Sequence, residues 1–196
     1  INGMSGNSIR YFLDGMPLDT KGSGVSLANL PVNIIDRIEI YKGVVPASLG
    51  TDALGGAINI ITKQEKKNYL DVSYGIGSFH THKADLNAQF VEPRTGLIIK
   101  PTFGVNYSKN DYMMRDVEVS RKYILTNRKR FHDDYFSLFG QMEIGFANKS
   151  WADAFFVSAS YSKVDKELQT GSVQSKVYGM AERGSDAWNI SARYQK

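Results

Sequence analysis

From residue 69 onward, apolar and polar side chains alternate along the chain in several long runs. In one run, Leu97, Phe103 and Val105 occupy the odd positions, and Lys100 and Thr102 the even ones. A period of two residues predicts β-strands with one apolar face. Six such strands are predicted, over residues 70–79, 84–90, 97–108, 136–146, 151–161 and 188–194.

These predicted strands have the length and the pattern of a membrane-spanning β-barrel. A barrel strand crosses the bilayer in about ten residues, with its apolar side chains facing lipid and small or polar ones facing inward. Tyr and Trp fall near the strand ends, where an aromatic girdle would lie. A soluble β-sandwich would also show alternation and remains the competing interpretation, although Gly, Ser and Ala are less favoured on a solvent face.

The connections between the predicted strands alternate in length. Residues 91–96 and 147–150 form short links, whereas 109–134 and 163–185 form long ones. Barrels of the outer membrane have short periplasmic turns and longer extracellular loops. We therefore expect the first strand to run outward from the periplasmic side, with the link over 79–83 extracellular although it is short.

The first 63 residues follow a different pattern, with short strands and frequent glycine. Strands are predicted over residues 8–14, 36–42 and 57–62, and Asp14-Gly15 is a strong turn dipeptide. In the second of these strands Ile38 and Ile40 alternate with polar residues, which predicts a half-buried strand. Short helical segments are predicted over 26–30 and 46–50, and Gly55-Gly56 predicts a sharp bend.

Three ordered motifs stand within this segment: FLDGMPL at 12–18, RIEIYKG at 37–43 and SLGTDALGGAINIITK at 48–63. Together they resemble the C-terminal half of the plug domain of TonB-dependent outer-membrane receptors. The resemblance by motif covers roughly residues 1–63. We accordingly interpret residues 1–66 as part of a plug domain and residues 67–196 as the first strands of a barrel.

The resemblance implies a membrane all-β fold, an antiparallel transmembrane β-barrel with a small mixed α+β plug domain. A barrel that holds a folded plug has about 22 strands, of which six are predicted here. Six strands leave open edges, which lipid does not tolerate because unpaired backbone groups there cost several kcal/mol each. The sequence also begins inside a plug motif, so we expect it to be a piece of a longer polypeptide.

The resemblance further implies a function and a place in the cell. Such receptors lie in the bacterial outer membrane and import scarce nutrients, energised by the TonB-ExbB-ExbD complex, whose contact segment would precede Ile1. Similarity to the siderophore, haem and cobalamin receptors favours import of a ferric siderophore or haem. The alternatives are a glycan or cobalamin importer and a non-transporting outer-membrane protein that retains a plug.

Nine positions of the plug motifs form what we call the plug fingerprint, with an expected structural or seating role. They are Asp14, Gly15, Arg37, Glu39, Gly43, Gly50, Gly55, Gly56 and Asn59. The resemblance implies that plug arginines pair with barrel carboxylates. Arg37 is therefore the candidate seating residue, and an ordinary surface ion pair of at most about 1 kcal/mol is the alternative.

A weaker prediction concerns ligand contact near the expected extracellular side. His80 and His82 would point the same way on a strand, and with Tyr112 and Met113 they could touch haem iron or another metal. Residues 109–132 carry seven basic and three acidic side chains, a net charge of +4. Such a loop would attract an anionic ferric chelate or the phosphates of lipopolysaccharide, unless it is simply a solvated loop.

Composition and motifs exclude several other classes. The chain has no cysteine, so it has neither a disulfide framework nor a thiolate metal site. Its net charge of +4 is too mild to indicate nucleic-acid binding. Ala57-Ile58 follows the last glycine of residues 50–56, where a phosphate-binding loop requires Lys and Ser or Thr. No element assembles a nucleophile with a base, so we expect no enzyme, no intrinsic cofactor and no resident metal, while the transported ligand would carry the iron.

Overall fold

The computed structural model describes residues 9–18, 30–49, 55–63, 67–118, 125–170 and 177–196. Within these ranges the chain forms a four-stranded sheet, a six-stranded sheet and a two-stranded hairpin. The strands are β1 Ile9–Leu13, β2 Met16–Leu18, β3 Ile35–Tyr41, β4 Gly56–Thr62, β5 Tyr69–Gly77, β6 Thr81–Glu92, β7 Leu97–Ser108, β8 Met113–Glu118, β9 Leu125–Lys129, β10 Tyr135–Ala147, β11 Ala154–Thr170 and β12 Val177–Gln195.

The four-stranded sheet, which we call the plug sheet, has the order β2-β1-β4-β3. Strands β1 and β4 are parallel, and the other two pairs are antiparallel. The predicted turn joins β1 to β2, with positive φ angles of 50° at Asp14 and 80° at Gly15. This left-handed pair is the geometry that favours Asp-Gly in two-residue hairpins.

The helical predictions in the plug segment have mixed outcomes. A 3₁₀ turn spans Ala47–Leu49, close to the predicted helical segment, and a second one over Val32–Ile34 was not predicted. The predicted helix over 26–30 lies outside the described residues except for Leu30. No α-helix occurs within the described ranges, and none of the helical segments there is long and apolar enough to cross a membrane.

The six-stranded sheet, which we call the wall, has the order β5-β6-β7-β10-β11-β12 with every neighbouring pair antiparallel. Its outer face is apolar and open. Leu70, Val72, Phe103 and Val157 are 67%, 64%, 43% and 42% exposed, so they do not line a water-soluble interior. This arrangement excludes the soluble sandwich and matches the lipid-facing side of a barrel.

The inner face of the wall is polar and packs against the plug. Asn87, Gln89, Thr102, Ser137 and Ser162 are all buried on that face. Phe139 reaches from the wall into an apolar cluster with plug residues Leu13, Leu30 and Ile60. Pro31 of the plug comes so close to Gly104 that a Cβ there would lie 3.1 Å from its Cγ, so glycine permits the close approach of the two sheets.

The predicted bounds of the last two wall strands are wrong. Trp151 lies before β11, which begins at Ala154 and continues to Thr170, and β12 is also longer than predicted. Most of the expected long link over 163–185 is therefore paired strand. The apolar period ends there because outward positions such as Asp165 and Glu167 are charged, and the pattern alone could not follow the strands beyond that point.

One expectation about the plug is also wrong. Ile38 and Ile40 on β3 are each 55% exposed rather than half-buried. They lie on an edge strand of the plug sheet, where β4 is the neighbour on one side. The alternation predicted the strand correctly, but it could not indicate whether another element covers its apolar face.

A charge on the outer face of the wall should be far more costly than one on the inner face. Met142 faces outward on β10, and its neighbour Gln141 faces the cavity at the plug. Met142→Arg should destabilise the full-length protein in lipid vesicles, lowering its free energy of unfolding by about 2–4 kcal/mol, as a charge at the bilayer midplane does. Gln141→Arg is the matched control with a much smaller expected loss, and equal losses would contradict the assigned faces.

Candidate functional site

The turn between β1 and β2 is hydrogen-bonded to the end of β4. The Asp14 carboxylate accepts hydrogen bonds from the Thr62 amide at 2.9 Å and from the Thr62 hydroxyl at 2.6 Å. The Asp14 amide in turn donates to the carbonyl of Ile60 at 2.8 Å. The carboxylate therefore satisfies backbone and side-chain donors just beyond the parallel pairing of the two strands.

Asn59 links this turn to the edge strand β3. Its side chain is only 5% exposed. Its carboxamide oxygen accepts from the Gly15 amide at 3.0 Å, and its amide group donates to Glu39 Oε2 at 3.2 Å. Asn59 on β4 thus connects β3 with the turn between β1 and β2, which no apolar residue of similar size could do.

Glu39 is the centre of a second set of contacts. The Tyr41 hydroxyl donates to Glu39 Oε2 at 2.8 Å, and Arg37 Nε donates to Oε1 at 3.0 Å. The hydrogen bond from Tyr41, with those from Arg37 and Asn59, holds the pKa of Glu39 below its ordinary value. Glu39 in return raises the pKa of the Tyr41 hydroxyl. The carboxylate therefore stays ionised, and the phenol stays protonated.

The structure thus brings together five residues of the plug fingerprint in one region: Asp14, Gly15, Arg37, Glu39 and Asn59. Among the glycines, Gly43 and Gly56 have φ angles of +88° and +123°, which explains why no side chain is favoured there. Gly55 is buried beside Gly56, and Gly50 lies outside the described residues.

Arg37 pairs with carboxylates of the plug itself. Its guanidinium lies 2.9 Å from Glu39 and 3.1 Å from Asp36, and these two contacts raise its pKa. The acidic wall residue Glu143 is paired instead with Lys100 on the neighbouring strand, at 3.4 Å. The seating role of Arg37 stays a prediction.

A cleft of about 520 Å³ separates the polar face of the plug sheet from the wall. Its plug side is acidic, with Asp14 and Glu39, and its wall side presents Lys100 and Arg193 together with one acid, Asp153, so the wall side is basic on balance. Both cations lie over the Phe156 ring, at 5.3 Å and 5.2 Å from its centroid. Opposite charges across the cleft favour docking of the plug in this orientation, a complementarity that the sequence did not reveal.

A second group of polar residues lies at the end of the wall where β5 turns into β6, which we call the distal rim. His80 occupies that turn with a φ of +56°, and its Nδ1 is 3.2 Å from Asp111. Lys129 Nζ lies 2.8 Å from the same carboxylate. Lys129, with a smaller effect of His80, lowers the pKa of the buried Asp111 carboxyl.

Tyr112 lies beside this cluster. Its ring packs edge-on against Phe79 at 5.6 Å, and Arg130 lies over it at 5.4 Å while donating to its hydroxyl at 3.1 Å. Met113 is exposed at the start of β8. These aromatic, basic and thioether groups stand close together at the distal rim.

The expectation that His80 and His82 point the same way from one strand is wrong. His80 is in the turn, where the backbone is left-handed, and β6 begins only at Thr81. His82 instead contacts the Tyr74 hydroxyl through Nδ1 at 2.8 Å, on a side of the strand that also carries Leu86. His82 therefore lies on the outer face of the wall, apart from His80.

Several distal-rim residues escaped the sequence analysis. The Asp133 carboxylate forms ion pairs with Lys166 Nζ at 2.6 Å and Arg130 Nε at 2.8 Å. The Tyr107 hydroxyl donates a hydrogen bond to Asp134 at 2.8 Å. These contacts join the end of the β8–β9 hairpin to β7 and β11. The only signal in the sequence was a pair of acidic residues three positions after a basic run, which does not indicate their partners.

Comparison with known proteins agrees with this architecture. Residues 1–57 match the family described as the TonB-dependent Receptor Plug Domain. The chain is also 30% identical over 158 residues to the vitamin B12 transporter BtuB of Vibrio vulnificus. The chain belongs to the TonB-dependent receptor family.

Solved structures of TonB-dependent receptors share the fold of the chain. P. aeruginosa FpvA bound to heterologous pyoverdines matches 97% of the chain with a TM-score of 0.67 at 16% identity. The FrpB iron transporter of Neisseria meningitidis matches 99% with a TM-score of 0.65 at 17% identity. The alignment with BtuB covers 79% of this chain but only 25% of BtuB. The chain likewise spans 25% of FpvA and 31% of FrpB. These relatives are outer-membrane receptors, and the chain is an outer-membrane protein of the same family.

Removal of the Asn59 carboxamide should loosen the plug sheet. Asn59→Ala removes the acceptor of the Gly15 amide and one of the three side-chain donors to Glu39, so we expect a loss of about 1–3 kcal/mol. Thermal unfolding of the full-length protein and hydrogen exchange at the Gly15 amide would measure it. Asn127→Ala, at an exposed position of β9, is the control, and an equal effect of the two substitutions would contradict the role of Asn59.

The plug network should weaken in acid because the pKa of Glu39 is lowered in the folded protein. Its contribution is present above the ordinary value of 4.5 and is lost as the pH falls through the lower folded value. Glu39→Gln should therefore reduce protection of the Gly15 amide at neutral pH, and its difference from the wild type should shrink below about pH 4.5. A difference that is the same at every pH would argue against an ionised Glu39.

Proposed function

We propose that this chain is the plug region and the first wall of an importer that carries a scarce nutrient, a ferric siderophore or haem, across the outer membrane. The observation that carries the proposal is the plug sheet docked on the polar inner face of a wall whose outer face is apolar. In that arrangement the plug blocks the lumen, so a ligand can cross only if the plug yields. A passive pore would have no such obstruction.

The proposed importer needs an energy source, because the plug is held by packing and by charge. We infer that the TonB-ExbB-ExbD complex supplies it by pulling on the plug from the periplasm. The network of Asp14, Asn59 and Glu39 would keep the plug sheet intact while it is displaced. Lipid and lipopolysaccharide would contact the outer face and the basic residues over 109–132.

We infer that the nutrient approaches the distal rim. His80, Tyr112 and Met113 lie there, and His82 lies on the outer face of the wall, so the first three are the better candidates for ligand contact. The basic residues Lys129 and Arg130 favour an anionic ligand such as a ferric chelate. No intrinsic cofactor and no enzymatic activity are part of the proposal, and the iron would belong to the transported ligand.

Cobalamin is the second candidate, favoured by the 30% identity to a vitamin B12 transporter. Glycan import and a plug-containing protein without transport activity are the remaining alternatives. The structural relatives include receptors for pyoverdine and an FpvAI complex with pyocin S2. Their identities to this chain are below 25%, so they support the fold and leave the ligand to experiment.

Uptake by the full-length protein would distinguish these candidates. Cells that produce it would be supplied with radiolabelled ferric siderophores, haem, cobalamin and glycans side by side, with and without a functional TonB. We expect TonB-dependent uptake of an iron ligand. Uptake of cobalamin alone would favour the second candidate, and uptake of none, including glycans, would overturn the importer.

Substitutions at the distal rim should affect binding unequally. We expect His80→Ala and Tyr112→Ala to weaken equilibrium binding of the transported ligand several-fold, because their side chains lie together near Asp111 and Arg130. His82→Ala, on the outer face, serves as the matched control with little expected change. If His82→Ala has the larger effect, the proposed place of ligand contact is wrong.

A further inference from the structure

A cluster at the distal rim combines one histidine with two glutamates on neighbouring strands. Glu167 of β11 and Glu182 of β12 are directly opposite each other in the antiparallel pairing. Counting in steps of two, they share the outer face with Val157 and Ile190, both exposed. His132, just before β10, contacts Glu167.

Two carboxylates in direct cross-strand register destabilise a sheet unless a cation lies between them. The nearby lysines are engaged elsewhere: Lys163 lies 2.9 Å from Asp165, and Lys166 lies 2.6 Å from Asp133. Within the described part of the chain, His132 is the basic group that contacts Glu167. Among the residues that the structure describes, no lysine or arginine forms an ion pair with either glutamate.

The two ring nitrogens of His132 face different acceptors. Nε2 lies 3.1 Å from the carbonyl oxygen of Ala181, which can only accept, so this nitrogen carries a hydrogen. In a neutral ring Nδ1 then has a lone pair, and it faces Glu167 Oε2 at 3.3 Å. Glu167 Oε2 also accepts a hydrogen bond from the Asp134 amide at 3.0 Å. A proton or a metal ion between Nδ1 and the carboxylate would relieve the remaining repulsion between these two acceptors.

The geometry of the cluster suits a metal ion. One ligand atom from each of His132, Glu167 and Glu182 lies within 4.8 Å of the others. Ligand atoms around a tetrahedral zinc ion are about 3.4 Å apart, given bonds of about 2.0–2.2 Å, and the His132–Glu167 contact already has that spacing. Glu182 is exposed, so its side chain can rotate inward.

The backbone contact of His132 is the kind that orients a ligand. A metal-binding histidine commonly donates its other ring hydrogen to a carbonyl, which fixes the tautomer. The donor set also decides the metal, because imidazole suits zinc and its neighbours, whereas calcium and magnesium prefer oxygen ligands alone. Two carboxylates would neutralise a divalent ion.

We propose that His132, Glu167 and Glu182 bind a divalent transition metal of the zinc class on the outer face of the wall, with water completing the coordination. Such an ion would join the start of β10 to β11 and β12. The pairing of β11 and β12 shifts register between Leu168 and Thr170, immediately after the site. The metal would therefore stabilise the last regular pairs of β11 and β12 before the pairing becomes irregular.

The test is zinc binding by the full-length protein in detergent, purified without a polyhistidine tag and freed of metal with a chelator. Titration calorimetry should show one saturable site that Glu182→Gln and His132→Gln each weaken about tenfold or more. Asp165→Asn is the matched control, because Asp165 lies on the same face two residues from Glu167; we expect a change of less than about twofold. Cobalt(II) bound at the site should show a visible absorption spectrum that is lost in His132→Gln.

Three results would overturn the proposal. They are the absence of saturable zinc binding in the wild type, equal losses in Glu182→Gln and Asp165→Asn, and calcium binding as tight as zinc binding. Thermal unfolding of the metal-free variants would show whether each is folded. In the first two cases His132 would be a protonated partner of Glu167 only. The site does not depend on the proposed nutrient, so uptake and zinc binding can fail separately.

Discussion

The structure depends on one constraint: in hydrocarbon, every backbone amide and carbonyl must find its partner within the protein. Between its edge strands β5 and β12 the wall meets this constraint through five antiparallel ladders, and its side chains alternate between a lipid-facing side and a polar side. The polar inner face in turn needs something to cover it. The plug sheet supplies that cover, and its position explains why Asn87 and Gln89 on the inner face of the wall are buried.

Docking of the plug combines a small apolar contact with a larger polar one. Phe139 inserts among Leu13, Leu30 and Ile60, whereas the cleft nearby remains open and carries opposite charges on its two sides. A fully apolar interface would resist displacement, because it would have to expose a large apolar area to water. A polar contact can be separated and formed again at lower cost, which would suit the displacement of the plug proposed above.

The sequence predicted the strands wherever apolar and polar positions alternated, and the Asp14-Gly15 turn because few dipeptides adopt that backbone. It failed where a strand leaves the lipid: Asp165, Glu167 and Glu182 continue β11 and β12 without any apolar signal. It also could not predict partners distant in sequence, such as Asn59 with Gly15 and Glu39, or Asp111 with His80. Those contacts depend on the register between sheets, which local patterns do not contain.

The unusual length of β11 and β12 has a mechanical consequence. They have 17 and 19 residues, whereas about ten suffice to cross a bilayer at a tilt of about 45°. At about 3.4 Å per residue and the same tilt, the surplus of seven and nine residues rises roughly 17–22 Å beyond the hydrocarbon. The paired strands thus form a stiff ribbon that stands clear of the lipid, and a large molecule that approaches the pore from that flank must pass over it.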